Sequence, residues 1–384
     1  MGNLKTQIFA DGAVSATLFE QRGRPAVPDA GRDDQIGRVA DLIGAFMEGA
    51  KTSLDIAVYD FRLDGTPGEK IVNAMTSRAQ AGVAVRIIHD PTTSGGDDSP
   101  GGDSSIATAG VVSKPADGTT FLQRLTASAA IKPVCGFKAL MHNKYIIRDA
   151  LSPDASILMG SANFTNDAWG LQEGNIVILH SQDLSAYYAT DFQQLWSRGK
   201  ITPSTGYRDT GGVRIGDANV TVAFTPGESA TIVHNVVNAI EIAKERLTIA
   251  AMVMSSGPIL AAVCEAIDRG VAIAGLYDGP QMDTVLNQWA AAGIAADKAA
   301  LWRKVSNCLA RKNSIPYNPG QPHNFMHAKL IVADDIVVTG SFNFSNHARG
   351  NAENTLLVAC PAMAGAYDSW IKSLAGRYGL SPTG

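Results

Sequence analysis

At 384 residues, 45% of them hydrophobic, the chain can bury a large core and is long enough for two domains of ordinary size, so disorder is not its default state. A formal net charge of -4 excludes a molecule coated in positive charge, such as a polybasic nucleic-acid binder, though not a local basic groove. Cys135, Cys264, Cys308 and Cys360 lie far apart with no C-x-x-C spacing, so neither a zinc site nor a disulfide framework is expected.

At the N-terminus no basic segment leads into an apolar one. The chain as given therefore shows no signal peptide and reads as soluble, whether cytoplasmic or the mature form of a secreted protein. Between Gln35 and Lys51, Ile36, Val39, Ile43 and Phe46 recur at helical spacing, and the run Ser53 to Tyr59 that follows is strand-like. A further helix ends near Gly82 and opens onto the apolar run Gly82 to Ile87, which makes a β-α-β unit with parallel strands. Next comes an irregular stretch, Pro91 to Thr120, rich in Gly, Asp and Ser; loops of this length are uncommon and often functional. The strand Met141 to Ile147 and a second strand ending at Gly160 complete the first set.

Past Ile201 to Gly216, which reads as a linker, the same order returns. Ile232 to Glu245 is the helix, Leu247 to Val253 the strand, Gly270 to Ala274 the second parallel strand, and Met326 to Val332 the counterpart of Met141 to Ile147. The offset is 188 residues between the glycines (270 minus 82) and 185 between the histidines (327 minus 142). A repeat of this extent predicts two halves, 1–204 and 205–384. The longest apolar region, Ile259 to Tyr277, is broken by Glu265, Asp268 and Arg269, so no membrane span is expected.

Residues two apart in a strand share a face, so His142 projects with Lys144 and His327 with Lys329. Each pair is followed by a corner of small residues, Gly160-Ser161-Ala162-Asn163 and Gly340-Ser341-Phe342-Asn343, and thirteen residues after each glycine stands a carboxylate, Glu173 or Glu353. A phosphodiester needs a nucleophile, an acid for the departing oxygen, and cations for the equatorial oxygens. His142 and His327 supply the first two. Lys144, Lys329, Ser161, Ser341, Asn163 and Asn343 are the expected phosphate-binding groups, which leaves no need of a metal or other cofactor. Glu173 and Glu353 suit a different task, accepting from Nδ1-H to fix each imidazole's tautomer and raise its basicity.

On these residues the chain resembles the phospholipase D superfamily, whose signature is H-x-K, four residues, Asp, then G-S-x-N. His327, Lys329, Asp334, Gly340, Ser341 and Asn343 match it, with one residue fewer than usual between Asp334 and Gly340. His142, Lys144, Asp149, Gly160, Ser161 and Asn163 match with about four extra residues around Leu151 to Asp154, which suits a longer hairpin turn. The resemblance implies an α/β fold: two similar α-β-α sandwich halves with mixed sheets, related by a pseudo-twofold, with the active site between them. It also implies that one histidine, His142 by analogy, forms a phosphohistidine while His327 serves as acid and base.

His89, His180, His234, His323 and His347 lack such support and read as structural, His323 and His347 as neighbours of the site. Asp149 and Asp334 read as turn caps. The cations Lys298, Arg303, Lys304, Arg311 and Lys312 read better as a solvated helix than as a substrate groove. Specificity lies in the loops. Trp289, Trp302 and Leu301 are candidate anchors for a transient contact with a membrane surface and favour a phospholipid head group, with transphosphatidylation to alcohols. The run ending in Asn351-Ala352-Glu353-Asn354, which looks like the phospholipase-D-like endonucleases, and the basic cluster favour the alternative, a nuclease acting on DNA or RNA. A repeat that only binds anions is disfavoured by two intact H-x-K pairs.

Overall fold

The structure, a computed structural model, describes residues 4–93, 120–202, 209–293, 296–318 and 321–379. In the first half, strands β1 (Lys5–Phe9), β2 (Val14–Phe19), β3 (Ser53–Val58), β4 (Ala84–His89), β5 (Ala130–Pro133), β6 (Lys144–Arg148), β7 (Ser156–Gly160) and β8 (Gly174–His180) form one sheet in the order β1-β2-β8-β7-β6-β3-β4-β5. In the second, β9 (Gly211–Ile215), β10 (Ala218–Thr225), β11 (Arg246–Ala251), β12 (Ala272–Asp278), β13 (Ala310–Lys312), β14 (Lys329–Ala333), β15 (Ile336–Gly340) and β16 (Glu353–Ala359) follow the order β9-β10-β16-β15-β14-β11-β12-β13. The second order is the first with every strand number raised by eight, so the duplication extends to the strand order of both large sheets. Both sheets are mixed: β3 runs parallel to β4 and antiparallel to β6, as β11 does to β12 and β14.

Alternation along the strands sends side chains to two cores. Leu54, Ile56 and Val58 pack outward against Ile36, Val39 and Ile43 of helix Ala30–Glu48. Ala57, Tyr145 and Ile147 face inward, onto Tyr188 and Phe192 of helix Gln182–Arg198, and share that core with Phe224, Leu330 and Tyr367 of the second half. The two sheets thus enclose a common interior, with Tyr367 contributed by helix Pro361–Arg377.

The first helix begins at Ala30, ahead of the expected Gln35, because Asp29 caps it by accepting from Arg32 N at 2.8 Å. The helix expected over Ile232 to Glu245 closes at Ile242, because the Asp334 carboxylate claims the N–H groups of Lys244, Glu245 and Arg246 at 2.8, 3.0 and 2.9 Å. The expected linker is partly sheet: Gly211–Ile215 is edge strand β9, where a Cβ on Gly211 would stand 2.1 Å from the Tyr187 hydroxyl. Residues 203–208, which hold the expected boundary between halves, lie outside the described residues, as do 94–119 of the irregular stretch. The expected membrane anchors Trp289, Trp302 and Leu301 do not stand on a surface loop in the region from Asp278 to Phe325. That region folds into helices Gly279–Ala291 and Ala296–Ser306 and strand β13, with Trp289 and Trp302 buried and Leu301 half-buried.

Candidate functional site

Both H-x-K segments enter their strands through the same set of backbone bonds. Met141 N donates to Asp90 Oδ2 and Met326 N to Asp278 Oδ2, each at 2.8 Å. His142 N then donates to Ala352 O at 2.9 Å and His327 N to Glu173 O at 3.1 Å, so each histidine is held by the opposite half. Both imidazoles and both lysines are buried. Lys144 Nζ donates to the His142 carbonyl at 2.7 Å and Lys329 Nζ to the His327 carbonyl at 2.6 Å. The Tyr59 ring lies 4.8 Å from His142 and 5.1 Å from Lys144 Nζ.

The Gly-Ser corners need their glycines. A Cβ on Gly160 would lie 2.0 Å from Asn175 O, and one on Gly340, where φ is +148°, 2.2 Å from Asn354 O. Ser161 Oγ accepts from Asn175 N at 3.2 Å and Ser341 Oγ from Asn354 N at 3.0 Å. Among the described residues the Oδ1 atoms of Asn163 and Asn343 are buried with no hydrogen-bond partner, an arrangement that costs free energy unless another group completes it.

The two glutamates part company. Glu353 Oε2 meets His142 Nδ1 at 2.7 Å across the interface between halves, both groups fully enclosed. Glu173 is turned from the imidazoles: it forms a buried ion pair with Lys312 and accepts from the Tyr378 hydroxyl at 2.7 Å, while His327 Nδ1 is buried with no hydrogen-bond partner among the described residues. The expectation of a glutamate for each histidine therefore needs correction. Counted from the glycines the spacings agree, but strand pairing sets another register. Gly160 pairs with Ile176 and Gly340 with Thr355, so Asn175 corresponds to Asn354, Gly174 to Glu353, and Glu173 to Ala352. One extra residue in the first half moves its carboxylate out of place.

Burial holds both imidazoles well below the ordinary histidine value, and Lys144 and Lys329 push them further down. Burial also brings Lys144 down to about 7, against the pull of Glu353, Asp60 and Asp90, and holds Lys329 well below its usual range with Lys144 adding repulsion. Glu353 is pushed up to about 8 by burial, opposed chiefly by Lys144. An anion placed beside the two lysines would favour their charged forms and oppose the effect of burial.

Asp149 and Asp334 sit at the far ends of their strands from the histidines. Asp149 Oδ1 accepts from the N–H groups of Thr52 and Ser53 at 2.6 and 3.1 Å, as Asp334 does from Glu245 and Arg246. His323 stacks between Tyr317 and Phe325, and His234 and His347 are exposed. The basic cluster is not one solvated helix: Lys304 pairs with Asp268, Arg311 with Asp283, Lys298 lies over Trp289, and Lys312 is buried on Glu173.

Sequence reasoning missed Asp90 and Asp278, which anchor the residue before each histidine. They stand 188 residues apart (278 minus 90), the same offset as Gly82 and Gly270, and that was a usable signal. It also missed the buried contacts between halves, in which Asn354 Nδ2 donates to Asn143 Oδ1 at 2.9 Å. No local pattern announces them.

The family model described as "Cardiolipin synthase, PLD-like domain" matches residues 43–196 and 236–375, one copy per half. Among solved structures, phosphatidylserine synthase of Haemophilus influenzae Rd KW20 is similar over 98% of this chain and 88% of its own, at 11% identity and a TM-score of 0.61. Polyphosphate kinase of Porphyromonas gingivalis is similar over 86% of this chain and 45% of its own, at 11% identity and a TM-score of 0.52. Nuc of Salmonella typhimurium, a phospholipase D family member, aligns with 43% of this chain and 97% of its own at 23% identity and a TM-score of 0.33. No curated protein sequence gives a match. Fold, repeat and family model together define the class, the phosphodiesterases and transferases built from phospholipase D-like halves. The chain belongs to the phospholipase D-like family and carries two copies of its domain.

Proposed function

We propose that the protein is a metal-independent phosphodiester hydrolase that works through a phosphohistidine on His142, with a phospholipid head-group ester as its substrate and alcohols as alternative acceptors. The observation that carries this is the Glu353–His142 contact. With Nδ1 engaged by the carboxylate, Nε2 is the nitrogen left to attack phosphorus, and the charge that develops on the ring is met by Glu353. His327 protonates the leaving oxygen and then takes a proton from the incoming water. Lys144, Lys329 and the side chains of Asn163 and Asn343 hold the non-bridging oxygens, the two lysines supplying the positive charge a divalent ion would otherwise bring.

Burial of Trp289 and Trp302 removes the proposed membrane anchors, so the substrate preference rests on charge. Among the described residues, the cations of the second-half cluster are largely paired or stacked, which leaves a poor track for a polyanion and favours a substrate with a single phosphodiester. No helix among the described residues is long and apolar enough to cross a membrane, so a lipid would be met at a surface.

The test sets head-group release from phosphatidylcholine and phosphatidylethanolamine vesicles against cleavage of single- and double-stranded DNA and RNA, all in EDTA, with His142→Asn as control. Head-group release that His142→Asn abolishes is expected. Cleavage of nucleic acid alone would overturn the substrate, and loss of all activity in EDTA would overturn the metal-free chemistry.

A further inference from the structure

The pseudo-twofold is broken at one consequential position. Opposite Glu353 in its sheet stands Thr225, whose Oγ1 accepts from Glu353 N at 3.1 Å. At the equivalent place in the first half, Gly174 stands opposite Phe19. A Cβ on Gly174 would lie 3.0 and 3.2 Å from two Phe19 ring carbons and 3.3 Å from Ser161 Oγ. Any side chain at this position would crowd the ring, which would have to give by a few tenths of an ångström, so the first half has glycine where the second has its carboxylate, and His327 Nδ1 is buried with no hydrogen-bond partner among the described residues. The carboxylate one residue earlier, Glu173, is held by Lys312 and Tyr378.

We infer that Gly174 and Phe19 act as positioning residues that make breakdown of the phosphohistidine the slow half of the reaction, so that the His142 phosphoenzyme accumulates during turnover. This rests on the two-step chemistry proposed above. In the first step His142 Nε2 forms a bond to phosphorus as the ester P–O bond breaks, and Glu353 answers the charge left on the ring. In the second a water oxygen bonds to phosphorus, the P–N bond breaks with its electron pair returning to Nε2, and the water's proton passes to His327. The imidazolium so formed has no carboxylate at Nδ1, in a place where burial already opposes charge. General base catalysis is worth about 10²- to 10⁴-fold, and much of that is forfeited here.

Bis(p-nitrophenyl) phosphate separates the steps, because p-nitrophenolate departs without a proton from His327. Quench-flow on the full chain should show a burst of about one p-nitrophenolate per active site, then a steady state at least about tenfold slower. Mass spectrometry of the quenched protein should place a p-nitrophenyl phosphoryl group on the peptide holding His142. The variant Phe19→Thr with Gly174→Glu, which copies the Thr225 and Glu353 pair, should lose the burst and gain about tenfold in kcat with kcat/KM little changed. Independent of whether that variant folds, kcat of the unaltered protein should be the same for aryl diesters sharing one retained group and differing in leaving group. A kcat that follows the leaving group, or an adduct that forms without accumulating, overturns this inference alone. An adduct absent at all times overturns it together with the phosphohistidine chemistry.

Discussion

Replacing Glu353 by glutamine leaves a hydrogen-bond acceptor beside His142 Nδ1 but removes the charge that meets a developing imidazolium. With both groups fully enclosed, no water can substitute. We expect kcat for a good diester to fall by about 10²- to 10⁴-fold with KM changed far less, measured by steady-state assay. Glu173→Gln, by contrast, should leave kcat of the folded protein near that of the parent, because Glu173 faces Lys312 and Tyr378 and neither imidazole. Lys144 makes a prediction with a sign. Burial lowers it from the ordinary lysine range to about 7, so it is charged below that pH and loses its charge above. If the cation holds phosphate, kcat/KM should decline above about pH 7, by up to about tenfold per pH unit. Lys144→Met should show low activity without that break; an alkaline limb breaking only near pH 10 would mean that Lys144 keeps its proton throughout.

At the scale of elements, the aspartates of the H-x-K-x₄-D pattern work as strand anchors. Asp149 and Asp334 each adopt a positive φ, 54° and 47°, just past a strand, and gather the N–H groups that lead into β3 or β11. Burial alone would raise Asp149, but bonds from Thr52, Ser53 and Lys51 outweigh it and lower its value. A carboxylate so lowered contributes stability that is present above about pH 4 and is lost as pH falls through the folded-state value. Asp149→Ala should therefore cost about 2–4 kcal/mol at pH 7 by urea unfolding, with the difference from the parent narrowing in acid and kcat per folded molecule unchanged. The β-α-β units were legible because alternation and helical spacing repeat in both halves. The helices in Asp278 to Phe325 were not, because two buried tryptophans among charged residues look like an exposed aromatic loop until Tyr277 and Cys264 are seen packed near them.

The whole molecule is joined by contacts no single half can make. The doubled His, Lys, Ser and Asn residues were legible from chemistry that recurs along the chain. The pairing of the glutamates was not, because an identical count from a glycine hides a one-residue difference in strand register, and register is decided by partners far away in sequence. The carboxylate that sequence spacing assigned to catalysis is thereby committed to joining the halves: Glu173, after β7, pairs with Lys312 of β13, both wholly buried, while Tyr378 donates to the same carboxylate. Its counterpart by register is Ala352, so this buried charge occurs on one side of the pseudo-twofold only. Removing one member strands the other charge in the interior, which typically costs about 3–5 kcal/mol, whereas neutralising both leaves no buried charge unpaired. Lys312→Met should thus destabilise the protein by about 3 kcal/mol, and Lys312→Met with Glu173→Gln by clearly less, the coupling being read from a double-mutant cycle of urea midpoints. Because His327 N is held by the Glu173 carbonyl, the single variant should also lower activity more than Glu173→Gln does, and strictly additive midpoints would show that the pair does not join the halves energetically.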